Sequence, residues 1–471
     1  MRSRKLGSPT TAAALACAVA MAFASPAAAQ APSKLDEPSA PLRELARTAQ
    51  RSDLLSLYRL ALENDSQYAA AKAQYLATLE REPQARSALL PSVNLLGRAN
   101  QYTYDISPQD FSNNFSDYGG GLSLTVPVYR PQNWELLEQA KIQVVQAESV
   151  LALARQDLAL RLANAYFNVL TARDEIEALE VQKEATLQQL AQAKREFEVG
   201  TKTIVDTNEA QARYDQIVAA EQVAVGTLIV RRSELTAIIG REPEALATLV
   251  SDPKLKLPQP NDIANWVSAA EDTNYGVVIA RANGEIATRE IQRAKDGYKP
   301  TVDLVAGYNH NRFNGTQTSE SSFRTNTGNV GLQLTVPLYT GGLTQSRVRE
   351  AVALQDKSMS DLETARRNAA NAARAAFTGV NYGLSTVQSL ESAERSARTQ
   401  LESTQLGYRV GVRILLDVLN ATTQLVSTQR DLKRARYFFL LSGLNLKASV
   451  GALTEDDLQA VNALLSTQAA R

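Results

Sequence analysis

Runs in which every second residue is apolar occur in two parts of the chain. Val93 and Leu95, then Leu122, Leu124, Val126 and Val128, alternate with Ser123 and Thr125. Farther on, Val302, Leu304, Ala306 and Tyr308 are followed by Val330, Leu332, Leu334, Val336 and Leu338, with Gln333 and Thr335 in the alternate positions. A period of two places like residues on one face of a strand. The pattern therefore predicts strand pairs over 92–129 and 301–339, apolar on one face and polar on the other. Elsewhere the period becomes helical, as in Ile142, Val145, Val150, Leu153 and Leu158, and later Leu179, Leu187 and Leu190. Proline-free stretches rich in Ala, Leu, Glu, Gln and Arg run from Asn133 to Gly200 and from about Leu343 to Gly411. Each is longer than about 60 residues, which at a rise of 1.5 Å makes a rod of roughly 100 Å. Helical patterning resumes from Asp206 to Ile239 and from Asp417 to Val450, with Gly200 and Gly411 placed for tight reversals. Shorter helical patterns precede each strand pair, over 53–90, interrupted by Pro83, and over 276–297.

These elements recur in one order because the chain contains a two-fold internal repeat with a period of roughly 210 residues. Gly121-Leu-Ser-Leu-Thr-Val-Pro-Val-Tyr129 answers Gly331-Leu-Gln-Leu-Thr-Val-Pro-Leu-Tyr339, and Phe197-Glu-Val-Gly200 with Asp206 answers Tyr408-Arg-Val-Gly411 with Asp417. Each half is a strand pair plus a long helical hairpin. The first repeat spans 53–240 with its tip near 200–206; the second spans 276–452 with its tip near 411–417.

Alternating segments of about ten residues bordered by tyrosines (Tyr102, Tyr104, Tyr118, Tyr129, Tyr308 and Tyr339) suit membrane strands with lipid on one face and water on the other. A single hairpin of this kind, taken alone, fits a half-buried pair in a soluble domain better. The intervening loops, 105–116 and 312–328, are rich in Asn, Ser, Gly and Thr. Four strands cannot close a barrel in lipid, where the smallest have about eight and an open edge leaves backbone groups unpaired. Membrane strands here therefore require several chains.

Composition narrows the chemistry. Arg2, Arg4 and Lys5 precede an apolar stretch and Ala27-Ala28-Ala29, the pattern of a secretory signal over 1–29, cleaved after Ala29 or after Ala31 and followed by a linker over 30–52. Cys17, the one cysteine, lies within that stretch, so the exported chain would hold no thiol. His310, the lone histidine, leaves no metal site of several histidines within one chain and is read as an incidental residue on a strand. Charge balances at 50 basic and 50 acidic residues, which argues against nucleic acid as a partner. Beyond the signal no run of 18 or more apolar residues exists. No nucleotide motif or catalytic constellation appears, so neither enzyme activity nor a cofactor or metal is expected.

Several motifs resemble the TolC family of outer-membrane channel proteins. They are Ser87-Ala-Leu-Leu-Pro91, the paired Leu-Thr-Val-Pro segments, Gly341-Gly342, Val199-Gly200-Thr201-Lys202-Thr203, Lys447-Ala-Ser-Val-Gly451 and Asp456-Asp457-Leu458. The resemblance covers essentially the whole exported chain. It implies an α+β membrane protein: a homotrimer whose four strands per chain form a transmembrane β-barrel of twelve, continuous with a periplasmic α-helical barrel. It further implies an equatorial domain, with 241–275 and 453–471 as candidates. The implied function is an outer-membrane exit duct for a tripartite efflux pump or a type I secretion system. Its implied partners are outer-membrane lipid, a periplasmic adaptor and an inner-membrane proton-driven pump or ABC exporter. A periplasmic coiled-coil protein with a structural or adhesive role is the competing reading.

Family pairing places the adaptor contacts at Val199, Gly200, Thr201, Lys202, Val410, Gly411 and Val412. It sets Tyr408 and Arg413 against Asp206 as a latch, and Asp417 near the axis as a ring of carboxylates. Thr203 and Asp206 also have the spacing of a capping box, so helix capping is an alternative for Asp206. At the second tip Ile414 replaces Thr203, and no such cap is expected for Asp417. Asn420 stands where close relatives carry a second acid one turn on, which implies a narrowing with fewer carboxylates.

Overall fold

The computed structural model describes residues 52–107, 111–201, 203–316, 319 and 321–466. The signal, the linker up to residue 51, Lys202 and the last residues of the C-terminal segment lie outside the described residues.

Three short helices open the fold: α1 (Leu54–Asn64), α2 (Ser66–Leu79) and α3 (Arg81–Ser87). The single helical pattern expected over 53–90 is thus divided, and first of all at Asp65. That residue is extended, with φ −70° and ψ 119°, and its carboxylate accepts the Tyr68 N–H to cap α2. Pro83 sits in the first turn of α3, where its missing N–H costs no helical bond.

Strands β1 (Ser92–Ile106) and β2 (Phe111–Tyr129) lead into α4 (Pro131–Glu198) and α5 (Ile204–Ile239). After β3 (Thr248–Leu249) come α6 (Ile263–Thr273), α7 (Tyr275–Lys295), a 3-10 turn (Asp296–Tyr298), β4 (Thr301–Asn314) and β5 (Ser322–Thr335). Helices α8 (Leu343–Arg409) and α9 (Leu415–Ser449), then α10 (Glu455–Asn462) and β6 (Leu465–Ser466), complete the chain. The rods α4 and α8 contain 68 and 67 residues.

The four long strands form one antiparallel sheet in the order β1-β2-β4-β5. Register brings Val93 opposite Leu124, Leu124 opposite Ala306, and Ala306 opposite Val330, so the apolar residues of all four strands share one face. That face is open: Leu95 is 81% exposed, Val330 78% and Leu332 72%. On the opposite face the side chains of Asn309 and Asn311 occupy the space where a Cβ on Gly121 or Gly119 would stand, so those glycines permit close strand-to-strand packing. Strand β5 stops at Thr335, short of the expected 339. Its ladder ends with Thr301 opposite Thr335, β4 extends no farther, and Pro337 offers no N–H. Pro127 is accommodated within β2 by a register shift between Pro127 and Tyr129. Among the described residues the outer edges of β1 and β5 have no partner.

A girdle surrounds the middle of the rods. Leu54 and Tyr58 of α1, Leu162, Tyr166 and Phe167 of α4, Leu235 and Ile239 of α5, Phe439 of α9 and Leu458 of α10 form its buried core. The Tyr166 hydroxyl donates to Ala247 O at 2.6 Å, and β3 pairs with β6, so 246–249 and 465–466 close around the same core. Helix α1, placed in the first repeat by sequence, is built into this girdle, and Ser52 bridges to Leu246. Below it, α4 and α9 are joined by Asp174, which accepts from Lys433 Nζ at 3.1 Å and from the Tyr437 hydroxyl at 2.6 Å.

Candidate functional site at the hairpin tips

Both rods end in the same backbone device. At the first tip, Gly200 has φ +75°. Its N–H reaches Phe197 O at 2.9 Å, and the Thr201 N–H reaches Glu196 O at 2.9 Å. At the second, Gly411 has φ +81°. Its N–H reaches Tyr408 O at 3.1 Å, and the Val412 N–H reaches Gly407 O at 2.9 Å. These are paired Schellman caps, which satisfy the last helix carbonyls and require a left-handed residue. No atom lies within 4 Å of a Cβ added at either glycine, so conformation alone excludes other residues there. Gly411→Ala is accordingly expected to destabilise the second tip by about 1–2 kcal/mol, visible as faster amide exchange over 406–415.

The helices that leave the tips start differently. Asp206 Oδ2 accepts the Thr203 N–H at 3.3 Å and the Thr203 hydroxyl at 3.0 Å. Asp417 Oδ2 accepts the Ile414 N–H at 3.4 Å. The expectation that Asp417 forms no cap is thereby corrected, because the backbone half of a capping box needs no hydroxyl at the cap residue. Asp417 also faces Arg413 at 3.7 Å in an exposed pair. Arg413, Asp417 and Asn420 line one groove between α8 and α9 with Gln400 and Gln424.

Tyr408 lies apart from that groove. It packs against a small cluster of Leu190, Ala193, Ala210, Leu415 and Leu419, which brings the two hairpins together. Its hydroxyl donates to Glu196 Oε2 at 2.7 Å. Burial first, then the Glu196 carboxylate and the nearby charge of Asp206, push the phenol well above its usual range. Within one chain Tyr408 thus hydrogen-bonds to Glu196 and feels the charge of Asp206, which also serves its own helix start, while Arg413 leans on Asp417.

Glu196 escaped the sequence reading, although a signal for it existed. Aligning Asp206 with Asp417 sets Phe197 opposite Tyr408 and Glu196 opposite Gly407. Both members of the hydrogen-bonded pair thus occupy positions where the repeats disagree.

Around these polar groups the tips expose apolar side chains. Val199 is 73% exposed and Val412 76%, and Val205, Val410 and Ile414 are also open. Among the described residues no group of His, Cys, Asp or Glu could hold a metal ion, and no helix is long and apolar enough to cross a membrane.

A family model described as outer membrane efflux protein matches residues 57–241 and 266–452, one segment in each repeat. The outer membrane protein TolC of Vibrio cholerae is 34% identical over 427 residues, covering 90% of this chain and 96% of the relative. The alkaline protease secretion protein AprF of Pseudomonas aeruginosa is 29% identical over 418 residues, covering 87% of this chain and 86% of the relative. Among solved structures, CusC, described as forming a transmembrane channel, matches with a TM-score of 0.74 over 88% of this chain and 95% of its own, at 16% identity. That last likeness is one of fold. The sheet, the paired rods and both repeats are thus matched across nearly the full length of the described chain, which belongs to the outer membrane efflux protein family.

Proposed function

We propose that three copies of this chain form a passive exit duct through the outer membrane. One observation carries the proposal: a four-stranded sheet, apolar and exposed on one face and unpaired at both edges among the described residues, grows directly into helical rods of 68 and 67 residues. Joining β5 of one chain to β1 of the next satisfies both edges, and three joints give twelve strands. The rods, roughly 100 Å long, carry the same passage into the periplasm. A structural or adhesive coiled coil would leave the apolar sheet face in water, at a cost of about 25 cal/mol per Å². Detergent-extracted protein is expected to migrate as a heat-modifiable trimer and to conduct ions in a planar bilayer. A monomer released by osmotic shock would overturn the reading.

In this reading the exposed valines at 199, 410 and 412, with Gly200, Thr201 and Gly411, meet the periplasmic adaptor. Both a proton-driven pump and an ABC exporter remain suitable inner-membrane partners, since relatives carry names from efflux and from protease secretion.

Asp417 and Asn420 supply the narrowing, with one carboxylate per chain. Trivalent-cation block in single-channel recordings is expected to be weak and to vanish in Asp417→Ala. Asn420→Asp is expected to tighten it at least about tenfold, because a charge pair at about 4 Å near a protein surface is worth a few kcal/mol. Tight block that survives Asp417→Ala would place the narrowing elsewhere.

A further inference from the structure

We infer that Glu196 is a positioning residue of the gate, binding the two hairpin tips within each chain at a contact that the seams between chains cannot reproduce. The inference rests on the trimeric reading above and on the latch at the tips that the family resemblance implies. Tyr408 of α8 reaches the neighbouring hairpin and donates to Glu196 Oε2 at 2.7 Å, beside the cluster of Leu190, Ala193, Ala210, Leu415 and Leu419. This joint lies within the last turn of each rod. Other ties between the hairpins, from Gln182 and Arg213 to Thr423, from Arg430 to Glu175, and from Lys433 and Tyr437 to Asp174, lie higher.

The repeat determines what happens at the next seam. Six hairpins around one axis alternate between first and second copies. Where a second hairpin meets the first hairpin of its own chain, the pair is Tyr408 with Glu196. Where a first hairpin meets the second hairpin of the next chain, the equivalent pair is Phe197 with Gly407. Phenylalanine has no hydroxyl and glycine has no carboxylate, so that seam cannot form this bond. Gly407 also serves its own loop: the Arg413 side chain lies across it, with Cγ 2.8 Å from the place of a Cβ. Three of six seams are therefore tied at this level. The two tips of one chain are held as a unit, and the seams between chains are left to other contacts.

Single-channel recordings of full-length trimers test this. Glu196→Ala and Tyr408→Phe are each expected to raise open-state occupancy about tenfold or more, as loss of a hydrogen bond to a charged group implies. The double variant should show no further rise. Glu196→Gln keeps an acceptor oxygen, so its rise should be only a few-fold. Phe197→Tyr places a hydroxyl opposite Gly407 and should change nothing. Heat-modifiable mobility should remain trimeric in all five, which separates gating from failed assembly. If Tyr408→Phe opens the channel while Glu196→Ala does not, or if the two effects add, the assignment of Glu196 is wrong although the gate stands. If Tyr408→Phe, Arg413→Ser and Asp417→Ala all leave the recordings unchanged, the tip-gate reading itself fails.

Discussion

Val330→Arg is expected to prevent insertion of the protein into the outer membrane. Val330 is 78% exposed on the apolar face and pairs with Ala306 of β4. An arginine on the lipid face near mid-membrane costs about 2–4 kcal/mol. Each trimer carries it three times, so the penalty of roughly 6–12 kcal/mol rivals the whole stability of a typical domain. Gln333 lies on the opposite, polar face of the same strand, across from Asp303. Gln333→Arg should therefore insert normally and leave the heat-modifiable trimer intact. Equal membrane yields for the two variants would show that the exposed apolar face does not meet lipid.

The second large effect is expected at Asp65. This residue is 3% exposed, caps α2 through the Tyr68 N–H at 2.7 Å, and accepts two hydrogen bonds of 3.1 Å from Arg161. Asp65→Ala removes the cap and both hydrogen bonds to the half-buried Arg161, which keeps only Asp157 at 2.7 Å, at a combined cost of about 3 kcal/mol. Hydrogen exchange over 54–79 should accelerate accordingly, while exchange at the tips should not. Asp65→Asn retains a capping oxygen and should recover about 1 kcal/mol of the loss. The same group makes the girdle acid-sensitive. Burial alone would raise its pKa, but Arg161 and the backbone N–H groups of Tyr68 and Gln67 bring it below 3.8 overall. A depressed carboxyl contributes its full stability above the unfolded value and loses it as pH falls through the folded one. Girdle stability should thus be flat in this contribution down to about pH 4 and decline below it, and the decline should be smaller in Asp65→Ala.

Asp65 also shows where the sequence stops being readable. Asn64-Asp65-Ser66 are all favoured at N-caps, yet with neither Gly nor Pro and with good helix formers on both sides the stretch reads as one helix. The break depends on Arg161, far along the chain, to hold the carboxylate in place. Strands and rods were legible because periods of two and of 3.6 each persist long enough to exclude the other. The end of β5 was not. Alternation continues through Val336 and Leu338, yet a strand needs a partner, and β4 has none to give beyond Thr301. At the tips, Gly200 and Gly411 announced their turns, since few other residues adopt positive φ. The partner of Tyr408 required the fold, because Glu196 lies on the other hairpin. The half-cap at Asp417 uses the Ile414 N–H, which any residue but proline supplies, so the side chain at that position carries no signal for it.

The sheet edges have a consequence for how the protein comes into being. β1 and β5 are different strands, so the joint between chains is heterologous: the same patch never meets itself, and a dimer always keeps two free ends. Only ring closure removes them, and a chain that fails to close can go on adding copies. The barrel is therefore a product of mass action, lost on dilution with a dependence steeper than that of any single-chain fold. Closure must therefore come before the exposed edges find another strand.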